Sequence, residues 1–259
     1  MRADWDPRLY LRFEAQRTLA ARDLLARVAL DASAHVVDLG CGPGNSTELL
    51  ARQFTAARIV GVDNSETMLA DARARLPGVR FELGDIASWQ PEVAPDLIYA
   101  NAALQWVAGH ATLMPRLFAQ LAPGGVLAIQ MPDNLDEPSH RVMRELASQA
   151  PYAALVGDAA GVRTRLLPLE AYYDLLAPGA REVNVWRTTY QHPMTSAANI
   201  VEWLRSTGLK PYLDPLPEAL RTAFLADYER RIAPAYPPRA NGQRLLAFPR
   251  LFIVAQRAA

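Results

Sequence analysis

The sequence predicts an α/β fold: a doubly wound, mostly parallel, seven-stranded sheet with a helical lid formed by insertions. Three observations carry that expectation. Apolar strand-like runs alternate with helical patterns from residue 35 to residue 131. The first run flows into a glycine turn, Asp38-Leu39-Gly40-Cys41-Gly42-Pro43-Gly44, and then into the polar helix start Asn45-Ser46-Thr47-Glu48. Past Pro132 the rhythm breaks, and two helical stretches separate the last two strand-like runs.

Residues 16–30 carry apolar positions at helical spacing, among them Leu19, Leu24, Leu25 and Val28, and predict an amphipathic helix. The first strand is predicted over 35–39 and its helix over 46–53. A second strand at 58–62 leads to Ser65, which caps a helix running to about Leu76, where Pro77-Gly78 stops it. Strands follow at 79–83 and 95–100, then a helix at 112–121 ended by Pro123-Gly124-Gly125, then a strand at 126–131. The last two strands, 183–190 and 245–254, predict an antiparallel pair at one sheet edge. The expected organisation is one domain over 1–259, with a core at about 30–132 plus edge strands 183–192 and 245–255. The lid is expected from about 133–180 and 195–242.

A chain of 259 residues with 51% apolar content can bury a large core. Its 27 Lys+Arg balance 27 Asp+Glu, which argues against a general nucleic-acid or membrane-surface binder. Lys210 is the only lysine, so the positive charge is almost all guanidinium, the better fork for carboxylates. The single cysteine, Cys41, excludes an internal disulfide and fits a reducing compartment. No apolar run approaches the roughly 18 residues of a membrane span, and the N-terminus lacks the apolar stretch of a signal peptide, so a cytoplasmic chain is expected. No obligate protein partner is evident in the sequence.

The loop reads G-x-G-x-G, with Asn45 where a dinucleotide fingerprint needs its third small residue. An acid, Asp38, stands at the strand end before it. That pairing suits a ligand with a positive amine and no phosphate. In an open α/β sheet the ligand lies beyond the carboxyl ends of the strands. Here the first four predicted strands end in Asp38, Asp63, Asp85 and Asn101. Asp63, 19 residues beyond Gly44 and followed by Asn64, is placed to accept both hydroxyls of a ribose.

The loop resembles the cofactor loop of class I S-adenosylmethionine-dependent methyltransferases, which implies a Rossmann-like methyltransferase fold and S-adenosyl-L-methionine as cofactor. The resemblance implies that Asp38 faces the ammonium of the cofactor's methionine part, and that Gly40 and Gly42 let the main chain meet it. Asp63 and Asn64 fall to the ribose, Asp85 and Ile86 to the adenine. Asn101 and Gln105 are expected on the cofactor as well, in the segment Asn101-Ala102-Ala103-Leu104-Gln105-Trp106, beside which the family places its methyl acceptor. Gln105 or Trp106 would border that acceptor.

A closer likeness extends along the whole chain. Its motifs are Asp4-Trp5-Asp6-Pro7, Gln130-Met131-Pro132-Asp133-Asn134, Trp186-Arg187-Thr188-Thr189-Tyr190 and Ala247-Phe248-Pro249-Arg250-Leu251-Phe252. They are similar to a branch of the family that esterifies one carboxylate of a small polycarboxylate substrate. A carboxylate is already ionised at neutral pH, its pKa being about 4, so no general base is expected. Alignment and exclusion of water would carry the rate. No metal-ligand spacing appears near the loop. The candidate cations for such an acid are Arg17, Arg187, His192 and Arg250, with Tyr10, Tyr172, Tyr173 and Tyr190 as donors. Arg17 and Tyr10 serve equally as partners for the cofactor's own carboxylate. The competing readings are a methyltransferase for another small acid or a thioester-linked dicarboxylate, a nicotinamide-dependent oxidoreductase, and a non-catalytic nucleoside-binding module.

Overall fold

The computed structural model describes residues 14–30, 35–205 and 207–259. Helix α1 (Glu14–Leu25) precedes strand β1 (His35–Leu39), helix α2 (Asn45–Gln53) and strand β2 (Arg58–Asp63). Then come α3 (Glu66–Arg75), β3 (Arg80–Leu83), β4 (Leu97–Asn101), α4 (His110–Ala119) and β5 (Val126–Pro132). The remainder is α5 (Pro138–Ala147), α6 (Ala153–Val156), α7 (Leu169–Leu176), β6 (Ala180–Met194), α8 (Ala197–Arg205), α9 (Lys210–Leu213), α10 (Glu218–Ile232) and β7 (Arg244–Arg257).

The sheet order is β3-β2-β1-β4-β5-β7-β6. Strands β1 to β5 pair in parallel, and β7 runs antiparallel to β5. The start of β6 and the end of β7 are joined by a bond from the Ala258 N–H to the Gly179 carbonyl, 2.9 Å, which makes those two strands antiparallel. Strand order reverses between β1 and β4, and ligands of open α/β sheets bind at such a reversal.

The chain divides into two compact units. The sheet unit holds residues 14–132, 164–188 and 250–259. Side chains alternate along a strand, and partners in register share a face. Val37, Leu39, Ile98, Ala100, Ile129, Met131, Leu251 and Ile253 fall on one face by register and form one buried cluster with Leu113, Met114 and Leu117 of α4. Burial of each Leu or Ile there is worth about 1.5–3 kcal/mol. Helix α3 shows how its sequence sets its limits. The Ser65 hydroxyl accepts the Met68 N–H at 3.3 Å, Glu66 lies in the first turn and Arg73 and Arg75 in the last, each complementing the helix dipole.

The helical unit, as far as described, holds residues 133–163 and 189–249. Its core gathers Trp203, Phe224, Tyr228, Tyr152, Ile200 and Leu204. The Tyr228 hydroxyl donates to the Ser139 carbonyl at 2.8 Å, which ties α10 to α5.

Two expectations need correction. The segment 133–180 does not form one lid piece: residues 164–180 belong to the sheet unit, where Tyr172 and Leu176 of α7 join the cluster under α4. The edge strands are also longer than expected, and each runs from one unit into the other, at 188/189 in β6 and 249/250 in β7.

Candidate active site

The second face of the sheet carries polar groups. By register, Asp38 pairs with Tyr99, Asn101 with Gln130, and Pro132 with Arg250, all on the face opposite the apolar cluster. Helix α1 packs on this face, since the Tyr99 hydroxyl donates to the Ala21 carbonyl at 2.6 Å. The polar side of the sheet is therefore covered by a helix and kept from bulk water, yet holds charged and amide groups.

Asp38 is fully buried. Its Oδ2 accepts the hydroxyls of Ser46 and Thr47, each at 2.7 Å, from the first turn of α2. Its Oδ1 is buried without a hydrogen-bond partner among the described residues. Desolvation pushes its pKa up to about 6, opposed by the two hydroxyls and reinforced by the nearby Asp63 charge. Such a group holds an open acceptor for a cation that also restores its charge. The Ser and Thr after the loop therefore hold the acid. The helix cap itself is Gly44, without a side-chain bond.

The loop is fixed from both sides. A Cβ on Gly40 would lie 2.2 Å from the Ala103 Cβ and 3.5 Å from Ile86 Cδ1, so only glycine fits there. Gly42 has φ +53, and a Cβ on it would meet nothing within 4 Å. Its N–H donates to Asp63 Oδ2 at 2.9 Å, while Asp63 Oδ1 accepts the Ser65 N–H at 2.9 Å. Asp63 thus links the loop to the start of α3. Asn64 beside it is exposed. Cys41 is buried, and desolvation plus the Asp38 and Asp63 charges push its thiol well above the ordinary range, so it stays protonated and is no nucleophile.

Asp85 stands two residues beyond β3 and is exposed; its carboxylate accepts the Ala87 N–H at 2.9 Å in a local turn. Ile86 is buried against Gly40. Arg116, absent from the residues singled out by sequence, holds this turn: its guanidinium donates to the carbonyls of Trp89, Ile86 and Ala87 at 2.6, 2.7 and 3.1 Å. Its partners are carbonyls, so no side-chain pattern betrays it.

Beyond β4, Ala102 takes φ +55, a left-handed conformation costly for a residue with a Cβ. Its N–H donates to the Gln130 carbonyl at 2.9 Å, and its own carbonyl accepts Gln105 Nε2 at 2.6 Å. Asn101 Oδ1 and Gln105 Oε1 are buried acceptors without partners among the described residues. Asp38, Asn101 and Gln105 thus each hold an acceptor in reserve.

The expected acid-binding residues separate. Trp106 is half-buried in the short helical turn Leu104–Trp106. Arg250 is buried and donates from Nη1 to Gln130 Oε1 at 3.4 Å. Arg187 lies exposed on β6. Arg17 lies on α1, and Tyr10 falls outside the described residues. His192 is buried in the helical unit, stacked on Trp203 with ring centroids 4.8 Å apart and on Tyr190 at 6.0 Å. Tyr172 corrects the expectation: it is wholly buried, its hydroxyl 2.6 Å from His110 Nδ1 and accepting the Leu167 N–H at 3.3 Å. It is a core residue, not a donor to an acid. Tyr173 beside it is exposed. Among the described residues, no group of three His, Cys, Asp or Glu is placed to hold a metal, and no helix is long and apolar enough to cross a membrane.

A family profile described as a methyltransferase domain matches residues 36–125. The chain is 67% identical over 258 residues to the trans-aconitate 2-methyltransferase of Paracidovorax citrulli, covering 99% of each chain. It is 65% identical over 257 residues to that of Variovorax paradoxus, again covering 99% of each. With that of Yersinia pestis it shares 57% over 252 residues, 97% of this chain and 98% of the other. Among solved structures, the YcgJ protein of Bacillus subtilis matches with a TM-score of 0.61 at 14% identity, covering 93% of this chain and 99% of that one. Haemonchus contortus phosphoethanolamine N-methyltransferase 2, in complex with S-adenosyl-L-methionine, matches with a TM-score of 0.55 at 19% identity, covering 92% of this chain and 52% of that one. At such identities the structural likeness shows the fold alone.

Proposed function

We propose, from the premise that the chain belongs to the trans-aconitate 2-methyltransferase family, that it methylates one carboxylate of trans-aconitate. The products are a monomethyl ester and S-adenosylhomocysteine. The observation that carries the reading is end-to-end identity with relatives of that name, through both units.

The residues at the sheet reversal fit the cofactor. Asp38 Oδ1 is a buried acceptor that suits an ammonium, with Asn101 Oδ1 and Gln105 Oε1 as further acceptors. Gly42 leaves open space beside the loop and Gly40 lets it pack on Ala103, Asp63 offers an anionic acceptor to a ribose diol, with Asn64 beside it, and Ile86 an apolar surface to adenine, with Asp85 at the amino edge. S-adenosyl-L-methionine, when bound, supplies an electrophilic methyl group on a sulfonium. The chain's own task is to align an ionised carboxylate and exclude water; at neutral pH the acid needs no base. Arg250, Arg187 and Trp106, all of the sheet unit, are the groups we assign to the acid, with Arg17 of the same unit as a further candidate. Asp38 pairs with the ammonium of the cofactor and stays ionised when so paired. A reducing cytoplasm suits the free thiol of Cys41.

The test is a product assay with a labelled methyl donor on trans-aconitate, cis-aconitate, isocitrate and a neutral acceptor. A labelled methyl ester is expected from trans-aconitate, with the other acids poorer. A planar, rigid tricarboxylate meets fixed guanidinium groups at little ordering cost. No ester from trans-aconitate, with turnover of a neutral acceptor, overturns the substrate and leaves methyl transfer standing.

A further inference from the structure

We propose that Gln130 is a carboxylate-binding residue: it positions the Arg250 guanidinium through Oε1 and offers its amide N–H to the same carboxylate. The inference rests on the methyl-transfer reading for the identity of its ligand, and on the sheet for its geometry.

Gln130 is wholly buried near the carboxyl end of β5, in the face that carries Asp38, Tyr99 and Asn101. Its backbone carbonyl accepts the Ala102 N–H. Its side-chain oxygen accepts Arg250 Nη1 at 3.4 Å, which fixes the orientation of the amide. The amide nitrogen is then buried with no hydrogen-bond partner among the described residues. A buried donor left without an acceptor is destabilising, so a native site keeps one where a ligand satisfies it.

The sign of that ligand follows from its neighbours. The open groups sort along the sheet: Asp38 and Asn101 on β1 and β4 hold acceptors, whereas Gln130 on β5 holds a donor beside the Arg250 guanidinium of β7. A guanidinium next to a free amide N–H makes a positive, donor-only pair, and a carboxylate offers the matching oxygens. Two carboxylates are available in this reaction, that of the acid acceptor and that of the cofactor's amino-acid end. The pair recognises either by the same chemistry.

Gln130→Glu separates binding from architecture. A carboxylate at this position still accepts from Arg250, so a purely structural role survives, but it replaces the donor with a negative charge facing the ligand. The expected result is a KM for trans-aconitate raised about tenfold or more with kcat within about threefold and an unchanged Tm, since charge-assisted bonds carry that much binding energy. A rise of the same size in the Kd of S-adenosylhomocysteine, with KM for the acid unchanged, also supports the proposal and names the cofactor as the source. Gln130→Met, which removes the donor without adding charge, carries the same readouts if the glutamate variant does not fold. Values of KM and Kd within about twofold of the unsubstituted protein in a folded variant overturn the proposal. If the unsubstituted protein forms no ester, the reaction has been misread, and calorimetric titration of S-adenosylhomocysteine and the acid into both proteins still decides the role of Gln130.

Discussion

A Cβ placed on Gly40 would stand 2.2 Å from the Cβ of Ala103, so the glycine loop and the turn after β4 meet with no room between them. Gly42, two residues on, faces open space at φ +53. The two glycines should therefore fail differently. Gly40→Ala is expected to lower stability by about 2–4 kcal/mol in urea unfolding, overpacking adding to the left-handed backbone. Gly42→Val is expected to fold with a smaller loss, about 1–2 kcal/mol, but to bind no S-adenosylhomocysteine in calorimetry. Normal turnover by the Gly42 variant would mean that the loop is not a cofactor cradle.

Asp63 joins that loop to α3 by accepting from Gly42 and Ser65. Asp63→Ala removes the charged acceptor proposed for the ribose and slackens the loop at once. The Kd for S-adenosylhomocysteine should rise by about 10- to 100-fold, the size of a charge-assisted bond. Asp63→Asn, which keeps one acceptor oxygen, should lose less. Equal affinities in all three proteins would take Asp63 out of the site.

The buried Asp38 makes stability and binding respond oppositely to acid. Its carboxyl holds a proton up to about pH 6 in the folded protein, against 3.8 for an ordinary aspartate. Between those values the native state binds more protons than the unfolded one, so stability of the free protein falls as pH rises through the window. The ionised group then costs roughly 3 kcal/mol above pH 6. Asp38→Asn should flatten that slope in denaturation curves taken from pH 4 to 7. Affinity for S-adenosylhomocysteine should instead weaken as pH falls below about 6, because an ammonium prefers the ionised partner. An affinity that improves on acidification would rule out the ammonium contact.

Tyr172 tests the core assignment. Removing its hydroxyl in Tyr172→Phe leaves His110 Nδ1 and the Leu167 N–H without their partner. A loss of about 1–3 kcal/mol in stability is expected, with KM for the acid unchanged. A raised KM at unchanged stability would return Tyr172 to the acid-binding set.

Features confined to one short stretch were legible in the sequence. The loop from Asp38 to Gly44 carries its own strand, turn and helix start, and Asp63 follows at a separation that the strand-helix-strand unit sets. Features made by distant pairing were not. The hydroxyl of Tyr172 meets a histidine 62 residues away, and nothing near Tyr172 distinguishes that from an open donor. Gln130 shares a face with Asp38 and Arg250 only through the register of four strands. The helix Leu169–Leu176 carries the same apolar stripe whether it packs on α4 or on other helices, so the boundary between units at 163/164 has no local signal.

Arg250 and Arg187 differ in burial, and that difference orders their effects on the acid. Arg250 is 4% exposed and held by Gln130, so its charge acts across little water. Arg187 is exposed on β6, where solvent screens it. Arg250→Lys, which keeps the charge and the stem but loses the planar fork, should raise KM for trans-aconitate about tenfold and leave Tm near that of the unsubstituted protein. Arg187→Ala should raise KM by about threefold or less, with cofactor affinity nearly unchanged. Steady-state kinetics on both variants, with calorimetry on S-adenosylhomocysteine, reads the order directly. A larger effect at Arg187 than at Arg250 would move acid recognition from the covered sheet face to the exposed side of β6.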